Sequence, residues 1–411
     1  MTEITFPAGF LWGTATAAHQ VEGGNVYNDN WVMEHTPGGP NVESSGDACD
    51  HYHRYRDDLT LLADLGFNTY RFSLEWSRIE PEDGEFSLAA LDHYRRVLAA
   101  CHEHGLTPIV TFHHFTSPRW LAAAGGWEAA DTPERFGRFC ARATAHLGDL
   151  MGYACTMNEV NIGPLIASFG APAMRGFRAA AWYAAAARSV GSDPARFTPF
   201  LYATSERGCE TILAAHRCAV QAIKAGPGQC AVGLTLAMED IQAVAGGEEA
   251  AARLRRTLQD VYLEAVRGDD FIGVQTYTRR RCAAAGLLGP EAGVELTQMG
   301  YEFWPEALGA TIRYASAMTG LPVIVTENGI GTGDDTRRLA YIERALRGVA
   351  ACLRDGLDVR GYTYWSAMDN FEWALGFRPT FGLIAVDRQT QARTVKPSAR
   401  WLGKVARENR L

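Results

Sequence analysis

The sequence predicts an α/β fold, a single (β/α)8 TIM barrel with long βα loops. Short β-branched or aromatic runs occur eight times along the 411 residues, and longer segments with helical spacing lie between them. This alternation is typical of βα units around a parallel sheet. No nucleotide-binding glycine loop follows any of the eight runs, which disfavours the alternative of an open, doubly wound sheet.

The predicted strands and helices alternate in the order that such a barrel requires. The eight runs occupy residues 10–15, 68–75, 107–112, 153–158, 231–236, 271–277, 322–326 and 359–365. The clearest amphipathic segments cover residues 52–65, 88–104, 133–147, 206–225 and 337–357. Gly66 and Gly105 follow two of them, as expected for helix C-terminal caps.

The length beyond the roughly 250 residues typical of this fold is assigned to loops after strands four, six and eight. Because no low-complexity linker interrupts the chain, we predict one domain over residues 1–411.

Composition and charge exclude several classes of protein. Hydrophobic residues make up 47% and charged residues 21% of the chain, so disorder is not expected. The net charge of -8 argues against a general nucleic-acid binder. The longest apolar run, about nine residues, is far shorter than the roughly 20 needed to cross a bilayer. The nine cysteines form no Cys-x-x-Cys pair, so we expect reduced thiols. No Lys or Arg precedes Arg54, so a basic leader is missing and we predict a cytoplasmic location.

Polar and aromatic side chains lie at the ends of several of the predicted strands or directly after them. They include Arg71, His113, His114, Asn158, Glu159, Glu327, Trp365, Glu372 and Trp373. Because the C-terminal ends of barrel strands meet at one mouth, these side chains are predicted to form one polar cup. Indole faces stack on the C–H faces of a sugar ring, while carboxylates, amides and imidazoles bind its hydroxyls. The cup therefore favours a carbohydrate ligand.

Two carboxylates, Glu159 and Glu327, are predicted to face each other across the barrel mouth. Glycoside hydrolysis needs such a pair, and a separation of about 5 to 5.5 Å is typical of enzymes that retain the anomeric configuration. Taken singly, each glutamate has the alternative interpretation of an exposed strand-end carboxylate. The pairing at two strand ends favours the catalytic interpretation.

Short motifs spread over essentially the whole chain carry a resemblance to a known family. They include FLWGTATAAHQVEG at residues 10–23, DACDHY at 47–52, YRFS at 70–73, TMNE at 156–159, DFIG at 270–273, TENG at 326–329, FEW at 371–373 and FGL at 381–383. The chain thereby resembles glycoside hydrolase family 1, the β-glucosidase and β-galactosidase type. The resemblance implies an O-glycosyl hydrolase without a cofactor, acting on terminal non-reducing β-D-glucosyl or alternatively β-galactosyl or β-fucosyl residues. It further implies a retaining double displacement through a covalent glycosyl-enzyme.

The resemblance assigns catalytic roles to five residues. It implies that Glu327 is the nucleophile and that Glu159 is the acid/base. Arg71 would lie beside Glu327 and favour its ionised form, and Tyr277 would donate a hydrogen bond to it. Asn158 would bind the sugar 2-hydroxyl, a contact that strengthens in the oxocarbenium-like transition state. The charge of Glu327 would keep Glu159 protonated until the glycosyl ester removes that charge.

The same resemblance implies a set of residues that bind the sugar ring: Gln20, His114, Trp365, Glu372 and Trp373. Trp365 would form the floor on which the ring stacks. Neighbours on a strand face opposite sides, so only one of His113 and His114 enters the cup. The resemblance favours His114 and leaves a structural role for His113.

Several positions depart from the family's pattern. Val160 stands where a proline usually follows the acid/base, and we expect this change to loosen the strand end without removing the carboxylate. Phe115-Thr116-Ser117 replaces Trp-Asp-Leu, and Gln275-Thr276 replaces Asn-Tyr. These changes leave the preferred sugar open among glucose, galactose and fucose.

The retained Glu372-Trp373 pair bears on the substrate class. An anionic Glu372 would repel a phosphate, so we expect a non-phosphorylated sugar, glucose first. The sequence specifies neither the aglycone nor the oligomeric state. Contacts to the aglycone are predicted on the variable segments 167–205 and 299–304.

The same residues bear on three alternatives to hydrolysis. A sugar-binding barrel without turnover is disfavoured by the intact Glu159, Glu327, Arg71 and Tyr277. A β-glycosidase that acts mainly as a transglycosidase stays open. A thioglycosidase is disfavoured because such enzymes typically lack the acid/base glutamate.

A metal site is disfavoured as well. His51 and His53 lie near other metal-binding residue types, but side chains two positions apart on a helix diverge. We expect no metal and no other cofactor, and a β-linked glycoside as the partner. The acidic clusters at residues 57–58 and 80–85 are predicted to be solvent-exposed.

Overall fold

The computed structural model describes residues 4–168 and 180–411, and its central element is a closed barrel of eight parallel strands. Each strand pairs with the strands before and after it in the chain, and the last strand pairs with the first. Helices lie between successive strands. The predicted (β/α)8 fold is therefore confirmed, while the assignment of residues 1–411 to one domain stays a prediction.

The barrel strands lie where the β-branched and aromatic runs predict them. They are β1 (Leu11–Ala15), β2 (Thr69–Ser73), β3 (Thr107–Thr111), β4 (Tyr153–Cys155), β5 (Ala231–Ala237), β6 (Phe271–Gln275), β7 (Val323–Asn328) and β8 (Val359–Trp365). Two of them differ clearly in extent from the prediction, because β4 ends at Cys155 and β7 continues through Asn328. As a result, Glu327 belongs to a strand, whereas Glu159 lies on the loop beyond β4.

Helices on the outside of the barrel connect these strands. They are α1 (His51–Leu65), α2 (Leu88–Glu103), α3 (Thr132–Leu147), α4 (Glu206–Ala225), α5 (Glu248–Arg255), α6 (Ala307–Thr319), α7 (Asp335–Arg354) and α8 (Pro397–Glu408). After α5 the chain continues through a π-helical turn, Arg256–Asp260, into the helix Val261–Ala265. Local signals fix several ends: Ser87 and Ser205 cap α2 and α4 through their side chains, and Gly66 ends α1 with a φ of 104°. All five predicted helices are present.

Long βα loops follow β4, β6 and β8, as predicted, and another follows β1. The loop after β1 covers residues 16–50 and was not predicted to be long. The short helices are Ala18–Val21, Asp29–Glu34, Trp76–Ile79, Arg119–Ala124, Gly126–Glu128, Gly148–Leu150, Ile162–Ser168, Ala181–Ser189, Phe200–Tyr202 and Trp373–Leu375. The strands outside the barrel are Asp240–Ala243, Arg279–Ala283, Gly286–Leu287, Ile384–Val386 and Arg393–Val395. Residues 169–179, within the segment predicted to contact the aglycone, lie outside the described residues.

Two acidic residues that the sequence analysis assigned to solvated faces are buried, so that prediction is wrong for them. Asp58 on α1 pairs with Arg393 at 2.8 Å and with His51 at 2.8 Å. Glu80 accepts a hydrogen bond from the Trp76 indole at 2.7 Å. In each case, partners from the fold compensate for the loss of water around the carboxylate.

None of the described helices is long and apolar enough to cross a membrane. All nine cysteines are unpaired, and six of them are buried. The thiols that the sequence analysis expected to be reduced therefore form no disulfide in this structure.

Candidate active site

A cavity of about 350 Å³ opens at the C-terminal ends of the barrel strands and gathers most of the predicted site residues. The predicted residues that line it are Gln20, His114, Asn158, Glu159, Tyr277, Glu327, Trp365, Glu372 and Trp373. The remaining one, Arg71, is fully buried and lies directly behind Glu327. Residues far apart in the chain are thus brought to one cavity by the closure of the barrel.

Glu327 on β7 is held by two donors. Arg71 on β2 donates from Nη1 to Oε1 at 2.6 Å. Tyr277, just beyond β6, donates its hydroxyl to Oε2 at 2.6 Å. Both carboxylate oxygens are therefore engaged, which fixes the orientation of the group.

Arg71 also organises the neighbouring amide. Its Nη2 donates to Oδ1 of Asn158 at 2.6 Å, while its Nε donates to the Thr111 hydroxyl at 3.1 Å. The Thr235 hydroxyl on β5 donates to the same Oδ1 at 3.2 Å. Because Oδ1 is occupied in this way, the Asn158 amide nitrogen is the atom left to interact with a ligand.

Glu159 is positioned through its backbone and its side chain. Its backbone N–H donates to the Thr235 hydroxyl at 3.0 Å, and its Oε1 accepts a hydrogen bond from the Gln275 amide at 3.1 Å. Its φ of 43° lies in the left-handed region, which is costly for a residue with a side chain. Phe115 and Trp373 share this feature, with φ values of 70° and 50°. Such conformations cluster at functional sites, where the surrounding structure enforces them.

The two carboxyl groups differ in proton affinity. Burial, followed by the negative charge of Glu327, raises the pKa of Glu159 well above its usual range. Burial also raises the pKa of Glu327, but by less, because Arg71 and Tyr277 stabilise its charged form. When the pair shares one proton, that proton therefore lies on Glu159.

Aromatic rings and amides form the rest of the cavity floor. The His114 ring stacks on Trp365 with centroids 5.7 Å apart and on Trp373 with centroids 6.3 Å apart. Burial, followed by the charge of Arg71, lowers the pKa of His114 well below its usual value, so the imidazole is neutral. Oε1 of the buried Gln20 has no hydrogen-bond partner among the described residues. An orphaned acceptor beside stacked rings suits a ligand hydroxyl.

Glu372 carries a proton more readily than the sequence analysis assumed. Burial, and then the charge of Glu327, raises its pKa to about 8, although hydrogen bonds from Trp365 and Gln20 act in the opposite direction. The argument that an anionic Glu372 repels phosphate is therefore weakened for the free protein at pH 7. None of the described residues that line the cavity is Lys or Arg.

His113 points away from the cavity. Its Nε2 lies 3.1 Å from the Ser117 hydroxyl, and its ring packs against Trp127 and Phe200 with centroids 4.7 Å apart in both cases. The neighbouring departures from the family's pattern are also mostly outside the cavity, since Thr116 bonds to Glu75 at 3.0 Å. Phe115 alone of this tripeptide lines the cavity.

Sequence reasoning missed the contribution of Thr235 and gave no role to Gln275. Thr235 lies within an apolar strand. Its hydroxyl positions Glu159 only because this side chain faces the loop after β4. Gln275 stood out as a departure from the family's pattern, but its partner was not predictable. No position in either local sequence signals a contact to a residue more than 70 positions away.

No metal centre is found among the residues that the structure describes: no group of three or more His, Cys, Asp or Glu side chains is placed to hold an ion. His51 pairs with Asp58 at 2.8 Å and His53 with Asp50 at 2.6 Å. The two imidazoles thus have separate carboxylate partners.

Buried carboxyl groups of unequal proton affinity, at the mouth of a barrel lined with indoles and amides, are the arrangement on which glycoside hydrolysis depends. The protein is thus of the O-glycosyl hydrolase class. The model of the family described as Glycosyl hydrolase family 1 matches residues 2–176 and 258–411. The chain belongs to glycosyl hydrolase family 1 and is a β-glycosidase of that family.

Individual relatives agree with this assignment. The chain is 33% identical to thermostable beta-glucosidase B of Thermobispora bispora, over 100% of this chain and 92% of that protein. It is 30% identical to the bifunctional beta-D-glucosidase/beta-D-fucosidase of Bifidobacterium breve, over 98% of each chain. Among solved structures, the crystal structure of beta-glycosidase BGL167 matches with a TM-score of 0.94 at 58% identity, covering 98% of this chain and 97% of that one.

Proposed function

We propose that this protein is a retaining β-glycosidase that releases a terminal non-reducing β-D-glucosyl residue by double displacement. The observation that carries the proposal is the unequal environment of the two glutamates. Glu327 has a cation and a phenol on its two oxygens, while Glu159 has only the Gln275 amide and a raised pKa. A nucleophile and an acid are thereby provided at one cavity.

In the first step, an oxygen of the ionised Glu327 attacks the anomeric carbon as Glu159 donates its proton to the glycosidic oxygen. The C–O bond to the aglycone breaks, the aglycone leaves as an alcohol, and a glycosyl ester forms on Glu327. Esterification removes the charge of Glu327, so the pKa of Glu159 falls.

In the second step, the ionised Glu159 takes a proton from a water whose oxygen attacks the anomeric carbon. The ester bond breaks, the sugar leaves with its original configuration, and Glu327 regains its charge. The amide nitrogen of Asn158 is proposed to donate to the sugar 2-hydroxyl, since its Oδ1 is already bonded to Arg71 at 2.6 Å.

The sugar-binding roles proposed for Gln20, His114, Trp365, Glu372 and Trp373 rest on their shared place in the cavity. The absence of Lys and Arg among the described lining residues favours a neutral sugar over a 6-phosphosugar. Relatives named beta-glucosidase favour glucose, and the relative from Bifidobacterium breve makes fucose the next candidate. A cytoplasmic location stays a prediction.

The nucleophile is tested with Glu327→Ala. We expect turnover of p-nitrophenyl β-glucoside to fall at least 1,000-fold, because no carboxylate then attacks the anomeric carbon. Added azide should restore activity and give the α-glycosyl azide, while the wild type should release β-glucose, both followed by NMR. Release of α-glucose by the wild type would show an inverting mechanism, and full activity of the variant would place the nucleophile elsewhere.

The acid/base is tested separately with Glu159→Ala. Substrates with poor leaving groups need protonation, so the first step should slow far more for methyl β-glucoside than for 2,4-dinitrophenyl β-glucoside. Pre-steady-state release of the aglycone, measured across a series of leaving groups, checks this dependence. An equal loss for good and poor leaving groups would contradict the assignment of Glu159 as the acid.

A further inference from the structure

The side chain of Gln275 lies between the two cavity glutamates. Gln275 is the last residue of β6, the strand that separates β5 from β7 in the barrel. Its backbone is in register with Glu327 on one side and with Ala237 on the other. Glu159 bonds to β5 through the Thr235 hydroxyl. This position therefore places one side chain within reach of both carboxyl groups.

The Gln275 amide is oriented by a partner at each end. Its Oε1 accepts a hydrogen bond from the Thr326 hydroxyl at 3.4 Å, and its Nε2 donates to Oε1 of Glu159 at 3.1 Å. Burial raises the pKa of Glu327, and a hydrogen bond from the same amide opposes this shift together with the charge of Arg71. One neutral, buried amide thus contacts both the proposed acid/base and the proposed nucleophile.

The two carboxyl oxygens of Glu159 have different surroundings. Oε1 accepts the Gln275 N–H, whereas Oε2 accepts no hydrogen bond from the residues that the structure describes. In a neutral carboxyl group the carbonyl oxygen is the better acceptor, so this N–H favours the form with the proton on Oε2. Because Glu159 lines the cavity, Oε2 is the oxygen left for a ligand.

Several charged or titratable groups face Glu159, but none of those described donates a hydrogen bond to its carboxyl group. They are Glu327, Arg71, Glu372, Tyr277, Tyr301 and His114. A charge without a hydrogen bond shifts the pKa of the whole carboxyl group, whereas a hydrogen bond distinguishes one oxygen from the other. Among the described residues, the Gln275 amide is therefore the group that makes Oε1 and Oε2 unequal.

We propose that Gln275 is a positioning residue that keeps the acid proton on Oε2 of Glu159 and holds Glu159 beside Glu327. The inference rests on the proposed function, since it presumes that Glu159 is the acid. In the first step, Oε2 gives its proton to the glycosidic oxygen while Oε1 stays bonded to the amide. In the second step, the same Oε2 takes the proton of the attacking water. The hydrogen bond to Oε1 is kept throughout and strengthens when Glu159 is ionised.

Gln275→Met tests the proposal through the pH profile, because methionine keeps the length and flexibility of glutamine but has no N–H. The ionised form of Glu159 then loses a hydrogen bond, so the alkaline limb of kcat/KM should move to higher pH by about half a unit or more. For methyl β-glucoside, kcat/KM at the optimum should fall about 3- to 15-fold, and less for 2,4-dinitrophenyl β-glucoside, which needs little protonation. An unchanged alkaline limb, or an equal loss for both substrates, would overturn the proposal.

Gln242→Met is the matched control. Gln242 also donates its amide to a carboxylate, Asp240, at 2.6 Å and accepts from Arg279 at 3.2 Å, but it does not line the cavity. Its pH profile should coincide with that of the wild type. Thr326→Val is a second variant, because it removes the hydroxyl that orients the amide and leaves Gln275 in place. If Gln275→Met does not fold, an unchanged alkaline limb in Thr326→Val overturns the proposal instead.

Ionisation can be followed without turnover, which separates this inference from the proposed function. In protein labelled with carbon-13 at the glutamate Cδ, an NMR titration reports the pKa of Glu159, and Glu159→Gln assigns the signal. We expect the midpoint in Gln275→Met to be higher than in the wild type by about half a unit or more. Equal midpoints would overturn the role of Gln275 even if glucosides are hydrolysed. A shifted midpoint together with no turnover of p-nitrophenyl β-glucoside by the wild type would overturn the proposed function alone.

Discussion

The proton affinity of a carboxyl group depends on the donors within hydrogen-bond reach, and the two cavity glutamates show this dependence. Glu327 has Arg71 and Tyr277 at 2.6 Å each, whereas Glu159 has one neutral amide at 3.1 Å. Both groups are buried, so burial alone does not separate them. The difference in donors therefore accounts for the lower proton affinity of Glu327.

Tyr277→Phe tests this account through the pH profile. The Tyr277 hydroxyl stabilises the charged form of Glu327, so its removal should raise the pKa of Glu327 and move the acidic limb of kcat/KM to higher pH. Loss of this hydrogen bond to a charged group, about 1.5–3 kcal/mol, predicts a fall of roughly 10- to 150-fold at the optimum. The measurement is kcat/KM for p-nitrophenyl β-glucoside between pH 4 and 9.

Tyr314→Phe is the matched control for that experiment. Tyr314 on α6 also donates to a carboxylate, Asp260, at 2.6 Å, but neither residue lines the cavity. Its profile should coincide with that of the wild type. An acidic limb that stays in place in Tyr277→Phe would show that the phenol does not set the proton affinity of Glu327.

At the residue scale, the sequence predicts those groups whose position in the chain already places them at the barrel mouth. Glu327 directly follows a β-branched run, and Arg71 lies in the second half of the strand-forming segment Thr69–Ser73, so both follow from the strand pattern. Thr235 lies inside an apolar run, and its partner is the backbone of Glu159 on a different connection. Such a contact depends on how two strands meet, which no local pattern records.

At the scale of secondary-structure elements, the junction of β4 and β5 holds Glu159 in place. The expected loosening by Val160 is not what the structure shows, because its N–H donates to the Thr235 carbonyl at 3.3 Å and its side chain is buried. A proline at this position has no N–H to donate. On the neighbouring strand β6, Gly273 leaves room for the side chains of Thr235 and Thr326. A Cβ at this position would lie 2.7 Å from the Thr235 side chain and 2.8 Å from the Thr326 side chain.

Thr235→Val tests the role of this junction. The substitution keeps the shape of the side chain but leaves the buried N–H of Glu159 without its acceptor, at a cost of about 1–3 kcal/mol. We expect a loss of roughly 5- to 150-fold in kcat/KM, greatest for substrates with poor leaving groups, and a lower thermal midpoint. Thr235→Ser keeps the hydroxyl and should retain most of the activity. Equal activities of the valine and serine variants would contradict the proposed positioning role.

Strand and helix positions are the part of the fold that the sequence predicts well, because each repeats a local pattern. β4 is the exception, because its regular strand covers only Tyr153–Cys155 although the predicted strand continues to residue 158. Beyond Cys155 the backbone still bonds to β5 through the Met157 carbonyl, and Glu159, with its left-handed φ of 43°, marks the turn of the chain. The buried Asp58 likewise depends on Arg393 at the other end of the chain.

Across the whole molecule, burial shifts ionisable groups in two opposite directions. Burial raises the pKa of Glu372 to about 8 and that of Asp29 to about 7. Burial also lowers the pKa of His93 and of His113 to about 3. The protein therefore keeps both kinds of group neutral where an unfolded chain would charge them, and its stability depends on pH.

The sign of this dependence follows from the protons bound in each state. A raised carboxyl pKa contributes stability that is fully present below its unfolded value and is lost as pH rises through the folded value. A lowered histidine pKa contributes stability that is present above about 6.5 and is lost as pH falls. The two effects oppose each other below pH 6.5. Above it, the carboxyl groups dominate, so stability should decline from about pH 6.5 to 8.

We predict that the thermal midpoint of the wild type falls by several degrees between pH 6.5 and 8, and that Glu372→Gln reduces this fall. The variant cannot lose a proton at this site, which removes a slope of up to about 1.4 kcal/mol per pH unit. Its midpoint at pH 8 should exceed that of the wild type even though the substitution impairs sugar binding. Glu82→Gln, at an exposed position, is the control and should follow the wild type. Parallel curves for wild type and Glu372→Gln, measured by scanning calorimetry at pH 6.5, 7, 7.5 and 8, would show that Glu372 is already ionised in the folded protein.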